Sequence, residues 1–581
     1  MPMRIISFVL SLIMSVSGGA ASFFASAIDS VAEIICGIPY TASAVKDELF
    51  SEFDADDIGF IDNENGYIRN TLAVFVEPRL GFFERLGIFR NCGGAVIGWC
   101  APAELYIIRT ADMSHEEALE KCQRIGETDG VELAMPLYLS KTADQLTPDD
   151  PFDYMFEEDA FYPENPVVWD ELDPNGRNWW LEAINARQAW DYESYFQPVN
   201  IGVLDSGFDP EHPDLEGQIT FPNEKRARKN RPSDHGCHVS GIIAAKRNNA
   251  TGISGICDHA QLICVDWNPD LFQFWFTEIA IYFGFTELVQ AGAKVINMSF
   301  GIASSVSGGT ASLYDRVLKP MATSLTMASL LSKGYDFLVV QSAGNGNSMG
   351  IPIDSTNNGH FAAVTEKNIY TGKHKIAKEE ILGRILTVSA ASDGFSGEFE
   401  LASYSNVGRY VGIAAPGSMV FSCGYPLIND YDYKSGTSMA APCVTGVAGL
   451  VWSVNPSFTG REVREIIVNS TDRMAKVSEF AEYIYCDEVA DYPMLNAKLA
   501  VEEAIRRTDS AVGTVSGAVG AEGAATIEFS GIAHTVFSDG SFSFVAHEGD
   551  GTAVIRNASG DEIGSFELTV IAGETTDTGI V

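Results

Sequence analysis

Between residues 199 and about 508, short apolar runs alternate with helix-patterned stretches, and few architectures accommodate that rhythm. Apolar runs of strand length stand at 199–204, 262–266, 294–298, 337–341 and 385–389. Helical patterns fall at 278–291, 439–452 and 460–468. Strands that are apolar throughout are those buried on both faces, so the alternation predicts an α/β unit over 178–508, a doubly wound parallel sheet with helices on each side. In such sheets working side chains gather where strands end and loops enter helices.

Four residues of that unit occupy such places. Asp205 directly follows the 199–204 run, and His235 opens the apolar helical stretch after Asp234. Asn345 lies just past the 337–341 run, and Ser438 sits at the mouth of the 439–452 helix after Gly436 and Thr437. Each has an ordinary reading by itself. Asp205 reads as a turn residue, His235 as a satisfied loop histidine, Asn345 as a left-handed turn residue and Ser438 as a helix cap. Together they make a different proposition. A serine nucleophile needs a base, which imidazole supplies near neutral pH. The imidazole needs a carboxylate to fix its tautomer. The developing oxyanion needs donors, which an Asn345 amide and the Ser438 backbone N–H can supply.

The flanks differ in character. Residues 1–27 carry one basic residue, Arg4, an uncharged stretch at 5–16 and a small-residue site at Ala25 to Ala27, the pattern of a secretory signal peptide. That stretch is short for a membrane span. Residues 28–68 read as an acidic lead-in. Residues 69–140 then follow a β-α-β-β-α-β order, predicting a ferredoxin-like α+β domain, with a capping box from Ser114 to Glu117 opening its second helix. An acidic connector rich in Pro and Asp/Glu fills 141–177 and includes the start of the mature chain. From 510 to 581 the composition turns to Gly, Ser, Thr, Val and Phe, predicting a small all-β, sandwich-like module with strands at 526–529, 541–545, 553–556 and 566–571. Asp539 and Gly540 give a hairpin signal between two of them. The 581 residues carry 38 basic against 78 acidic side chains, a formal charge of −40. Phosphate would be repelled, which argues against nucleic acid as a partner. The ten cysteines show no C-x-x-C pair, and both a few disulfides and free buried thiols fit them.

The segments around Asp205, His235 and Ser438, in that order, resemble the subtilisin family of serine proteases. The run from Gly436 to Pro442 (Gly-Thr-Ser-Met-Ala-Ala-Pro) and that from Ala414 to Gly417 (Ala-Ala-Pro-Gly) carry the likeness, which extends over about 147–504. The resemblance implies a serine endopeptidase with Ser438 as nucleophile, His235 as base and Asp205 as orienting carboxylate, working through an acyl-enzyme with Asn345 on the oxyanion. It implies that Ser299, Phe300 and Gly301 pair with the substrate backbone and wall the primary pocket, with Ala343 and Gly344 opposite. Residues 69–140 then become a propeptide, a folding chaperone and cis inhibitor, released by self-cleavage between Leu139 and Ala143. Calcium is the implied cofactor, on Asp150, Asp214 and Asn249.

Two cysteines depart from the family pattern: Cys237 stands where Thr is usual, and Cys443 where His is usual. A Cys237–Cys443 bridge and ordinary buried thiols both fit. The aromatic-rich segment 267–276 replaces a glycine-rich loop, and a basic run at 225–231 precedes His235. The chain is therefore expected to be a secreted or cell-surface zymogen acting on peptide or protein substrates. The C-terminal module is available for carbohydrate or cell-surface contact. A catalytically quiet peptide-binding protein that keeps its propeptide, and a surface adhesion protein, are the rival readings.

Overall fold

The computed structural model describes residues 57–61, 65–141, 178–222, 234–249, 251–266, 275–301, 317–347, 350–393, 398–424, 431–477, 486 and 489–581. The signal peptide, most of the lead-in and connector, the basic run and the aromatic segment 267–274 lie outside them.

The expected parallel sheet is present. Its strands run in the order Phe399–Leu401, Ile385–Asp393, Leu338–Ser342, Val295–Met298, Val199–Asp205, Ala260–Asp266 and Ile219–Thr220, with Val411–Pro416 also pairing with Ile385–Asp393. Every pairing is parallel except that of the edge strand Phe399–Leu401. Val199–Asp205 is earliest in sequence among these strands yet lies between Val295–Met298 and Ala260–Asp266. The chain thus winds outward in both directions from it, and that reversal of strand order opens a crevice at the carboxyl ends. The strand interiors are closely packed, with Ile201, Val203, Leu262, Val295, Leu338 and Val340 wholly buried. β-Branched and Leu side chains suit such a two-sided core.

Helix Thr437–Val454 runs through this core, and its residues are buried on every side except at Ser438. It packs against the strands of the central sheet and against helices His235–Ala244 and Ala497–Thr508. Among the described residues it is the one helix long and apolar enough to cross a membrane, but its apolar surface is covered by protein. Its N-cap is Gly436, which makes no side-chain cap. Ser438 is thus the second residue of the helix, and the cap reading of Ser438 is corrected: its hydroxyl serves another partner.

The N-terminal unit starts earlier than expected. Asn65–Val76 is one long strand, and Ile58–Phe60 pairs with its beginning inside what reads in sequence as a lead-in. Helices Phe82–Asn91 and His115–Gly126 and strands Ala95–Cys100, Leu105–Arg109 and Val131–Lys141 complete the unit. The Ser114–Glu117 capping box forms as read. The sheet order is Ala95–Cys100, Leu105–Arg109, Asn65–Val76, Val131–Lys141, all antiparallel, and a fifth strand, Trp275–Thr277, adds from the larger unit.

At the C-terminus two sheets pack over Val515, Ile527, Phe529, Phe544 and Ala553. One has the order Ser541–His547, Val512–Ala518, Thr575–Ile580, and the other Ile532–Thr535, Ala524–Phe529, Gly549–Asn557, Glu562–Val570. Three of these strands, Val512–Ala518, Ile532–Thr535 and Thr575–Ile580, carry too few apolar residues to stand out in sequence. Asp539 and Gly540 do form a tight turn, closed by Gly540 N to Phe537 O at 2.9 Å and Phe537 N to Ser541 O at 2.8 Å, but the strands it joins lie in different sheets, which corrects the hairpin reading. The tight hairpin is at Ser530 and Gly531, between Ala524–Phe529 and Ile532–Thr535.

Candidate active site

Strand Val199–Asp205 delivers Asp205, almost wholly buried, to the crevice. Helix His235–Ala244 begins there because its first amides close onto the turn after that strand. Gly236 N donates to Ser206 O at 2.7 Å and Cys237 N to Gly207 O at 2.9 Å. These bonds satisfy two donors that a helix start leaves unpaired. They also bring the imidazole of His235 onto the carboxylate, with His235 Nδ1 2.7 Å from Asp205 Oδ1. The Ser206 amide donates to the same oxygen, at 2.7 Å. Nδ1 of His235 is thus engaged on a buried carboxylate.

Ser438 is tied to the neighbouring wall by two reciprocal bonds. Its Oγ donates to Ser299 O at 2.8 Å, and Ser299 Oγ donates to Ser438 O at 2.7 Å. Ser299, the first residue of the 299–301 segment, is thus bonded directly to the serine. On the other side Asn345 Oδ1 accepts from Thr437 N at 2.8 Å and from Thr437 Oγ1 at 2.9 Å, while Gly344 N donates to Thr437 Oγ1 at 3.0 Å. Both Thr437 donors act on the Asn345 oxygen, and Asn345 Nδ2 lies beside Gly436 at the start of the Ser438 helix. The Gly344 backbone has φ +100°, a conformation that favours glycine, and a Cβ there would stand 2.5 Å from Asn406 Nδ2.

Two positioning residues escaped sequence reasoning. Thr437 orients Asn345, and its position next to Ser438 was the available signal. Asn406 accepts from Gly346 N and Ile353 N, each at 3.0 Å, and donates to Ala343 O at 2.9 Å. It clamps residues 343–346 from a loop far along the chain, and nothing in its own segment announces that role.

The departing cysteines stay apart. Cys237 Sγ donates to Gly424 O at 3.1 Å, whereas Cys443 Sγ faces Met439 O and Pro416 O. Both are free, buried thiols whose pKa values burial raises, so the Cys237–Cys443 bridge is corrected. All nine described cysteines are free.

Of the expected calcium ligands, Asp150 lies outside the described residues. Asp214 and Asn249 do meet, with Asn249 Nδ2 donating to Asp214 Oδ1 at 2.7 Å. Asp214 Oδ2 accepts from Ile253 N at 2.8 Å and Tyr431 OH at 2.9 Å. Asp214 is wholly buried, burial raises its pKa, and its three donors are all neutral. A carboxylate and an amide oxygen are the right kind of ligand for a hard cation, but here both Asp214 oxygens accept from donors and Asn249 Oδ1 accepts from Thr251 N at 3.0 Å. Among the described residues, moreover, no group of three or more His, Cys, Asp or Glu side chains gathers around a point.

Comparison with known proteins follows this geometry. The profile of the subtilase family matches residues 197–520. The thermophilic serine proteinase of Bacillus sp. (strain AK1) is 30% identical over 301 residues, 51% of this chain and 62% of that protein. Thermitase of Thermoactinomyces vulgaris is 30% identical over 306 residues, 52% of this chain and 90% of its own length. The crystal structure of fervidolysin from Fervidobacterium pennivorans, described as a keratinolytic enzyme related to subtilisin, superposes with a TM-score of 0.51 at 19% identity, over 90% of this chain and 79% of that one. At that identity the last match speaks for fold alone, and it agrees with the wound parallel sheet. With the profile covering the whole stretch from Asp205 to Ser438, the chain belongs to the subtilase family.

Proposed function

We propose that this chain is a secreted subtilisin-like serine endopeptidase made as a zymogen. The observation that carries the reading is the 2.7 Å contact between His235 Nδ1 and the buried Asp205 Oδ1, within the stretch from Asp205 to Ser438 that the subtilase profile spans. In the proposed reaction the Ser438 hydroxyl turns from Ser299 O to His235. Its oxygen attacks the substrate carbonyl as its proton passes to His235 Nε2. Asn345 Nδ2 and the Ser438 amide, whose N–H has no acceptor within the first turn of the helix, receive the oxyanion. His235 returns the proton to the leaving amine, giving an acyl-enzyme. A water then repeats the sequence and frees the acid. Residues 299–301 and 343–345 bind the extended substrate on either side.

The N-terminal unit, read as a ferredoxin-like propeptide, fits the role of cis inhibitor. Its last strand pairs antiparallel with Trp275–Thr277, Leu139 opposite Thr277 and Lys141 opposite Trp275. Leu137 and Leu139 share one core with Ile279, Tyr282, Phe283 and Leu325 of the larger unit. Lys333 Nζ binds Glu104 Oε1 at 3.0 Å, and Tyr370 OH donates to Glu132 Oε2 at 2.7 Å across the same boundary. Calcium belongs to this reading as a structural ion at Asp214 and Asn249, with no part in the chemical steps. Export rests on the sequence of residues 1–27, and the two-sheet C-terminal module is read as a surface or carbohydrate contact.

A fluorophosphonate probe tests the centre of the proposal. Wild type should label and Ser438→Ala should not. The wild-type chain should also lose residues up to 139–143, and purified Ser438→Ala should keep them. A processed wild type that takes no label defeats the enzyme reading, and cleavage at the same bond in Ser438→Ala defeats self-processing.

A further inference from the structure

Two backbone segments flank Ser438, and they leave neighbouring strands of the sheet. Residues 299–301 follow Val295–Met298, residues 343–345 follow Leu338–Ser342, and Met298 stands in register with Gln341. The first segment is locked to Ser438 by the two Ser299 bonds and the second by Thr437. A carbonyl presented to Ser438 Oγ and Asn345 Nδ2 therefore sends its own side chain between these segments. The space there is not left empty by the fold.

Asn358 occupies it. A Cβ added to Gly301 would overlap the Asn358 amide, and one added to Gly344 would stand 2.7 Å from Asn358 Oδ1. A single side chain thus touches both walls. It is held firmly. Asn358 Nδ2 donates to Ser342 O at 2.7 Å, and the residue ends a short 3-10 helix, Ser355–Asn358, capped by Asp354 through the Thr356 amide. Only 8% of Asn358 is exposed. Asn358 Oδ1, the atom of that side chain nearest both glycines, accepts no hydrogen bond among the described residues.

We propose that Asn358 closes the far end of the primary side-chain pocket and restricts the residue before the scissile bond to a small one. Serine and threonine are favoured through a hydroxyl donated to Asn358 Oδ1. The proposal rests on Ser438 being the nucleophile. A phenyl or isobutyl group can enter only by displacing the amide, which unpairs both Asn358 Nδ2 and Ser342 O in a buried place. A short side chain leaves that bond intact, and a hydroxyl gives Oδ1 the donor it lacks. Sites built to hydrogen-bond a substrate group discriminate strongly against analogues without it.

The test uses the purified full chain, allowed to process, and peptide p-nitroanilides that differ only in the residue before the bond: Ala, Ser, Leu or Phe. Wild type is expected to favour Ala and Ser over Phe by at least about tenfold in kcat/KM, the scale on which pocket shape discriminates. In Asn358→Gly the Phe-to-Ala ratio should rise at least about tenfold as the end of the pocket opens. Asn358→Ala is read in the same way if the glycine variant does not fold. Wild type that cleaves after Phe or Leu as readily as after Ala overturns the proposal, as does an unchanged ratio in the variants. Fluorophosphonate labelling separates the levels of failure. A wild type that labels but prefers aromatic residues defeats the pocket assignment alone, and one that neither labels nor cleaves defeats the Ser438 reading beneath it.

Discussion

Thr437 shows how much of this site depends on a residue without chemistry of its own. Its amide and hydroxyl both bind Asn345 Oδ1, so the side-chain nitrogen of Asn345 has one orientation left. Thr437→Val keeps the shape, the amide bond and the helix start but removes the hydroxyl. Removing an oxyanion donor outright costs about 10²–10³ in kcat. Loosening the proposed donor, Asn345, through Thr437→Val should cost roughly tenfold in kcat with KM little changed, checked by steady-state kinetics beside Asn345→Ala. The thiols give an opposite case. Cys237 and Cys443 stand within a few residues of His235 and Ser438, but burial raises both pKa values, and the thiolate is the reactive form. Native protein treated with a thiol reagent should keep its labelling by fluorophosphonate. Both cysteines should react only after denaturation, as peptide mapping would show.

Between helices and sheets, the boundary with the C-terminal module carries a set of buried and half-buried polar contacts. Asp191 accepts from Thr535 N at 2.7 Å and from Thr535 Oγ1 at 3.0 Å. Tyr192 OH donates to Glu502 Oε1 at 2.7 Å and accepts from Val545 N at 2.9 Å. Burial lifts the Asp191 carboxyl from 3.8 to about 6, against the pull of the Thr535 donors. The folded state therefore holds a proton that the unfolded chain releases between about pH 4 and 6. Stability from this group is present below that window and lost as pH rises through it. Asp191→Asn removes the penalty, so it should gain on wild type by roughly 1–3 kcal/mol between pH 4 and 7. Urea unfolding at both pH values measures the difference. At this scale the sequence was informative where pattern is local. Val199–Asp205 shows in the text because β-branched residues must fill a core covered on both sides. Thr575–Ile580 does not, since its order comes from pairing with Val512–Ala518. The same division holds at the site. Asp205, His235 and Ser438 end or begin elements, so their neighbours mark them. Asn358 and Asn406 act across the fold, and only the packed chain shows what they touch.

The molecule as a whole joins three units by continuous contact. The N-terminal sheet extends into the larger unit through Trp275–Thr277, and the C-terminal module meets helix Ala497–Thr508. The calcium proposed at Asp214 would stabilise the larger unit, in which its partners Asn249, Ile253 and Tyr431 all lie, without entering the reaction. Added calcium should raise the melting temperature and EGTA should lower it, with saturation at a hundred times Kd contributing about 2.7 kcal/mol. Asp214→Asn should abolish the dependence, and identical melting of the wild type in both conditions rules the ion out.

Helix Thr437–Val454 is packed on all sides, and that has a consequence for how the enzyme can fail. Surface elements open locally at little cost, but a core helix exchanges its amide hydrogens only when the whole domain opens. Ser438 is the second residue of such an element, so the proposed nucleophile cannot fray loose while the rest stays folded. Deuterium uptake at residues 443–451 should follow global unfolding, and heat should remove labelling by the probe and the fold at one temperature. Protection of those amides that ends well below the unfolding transition would show that the serine has a local escape route.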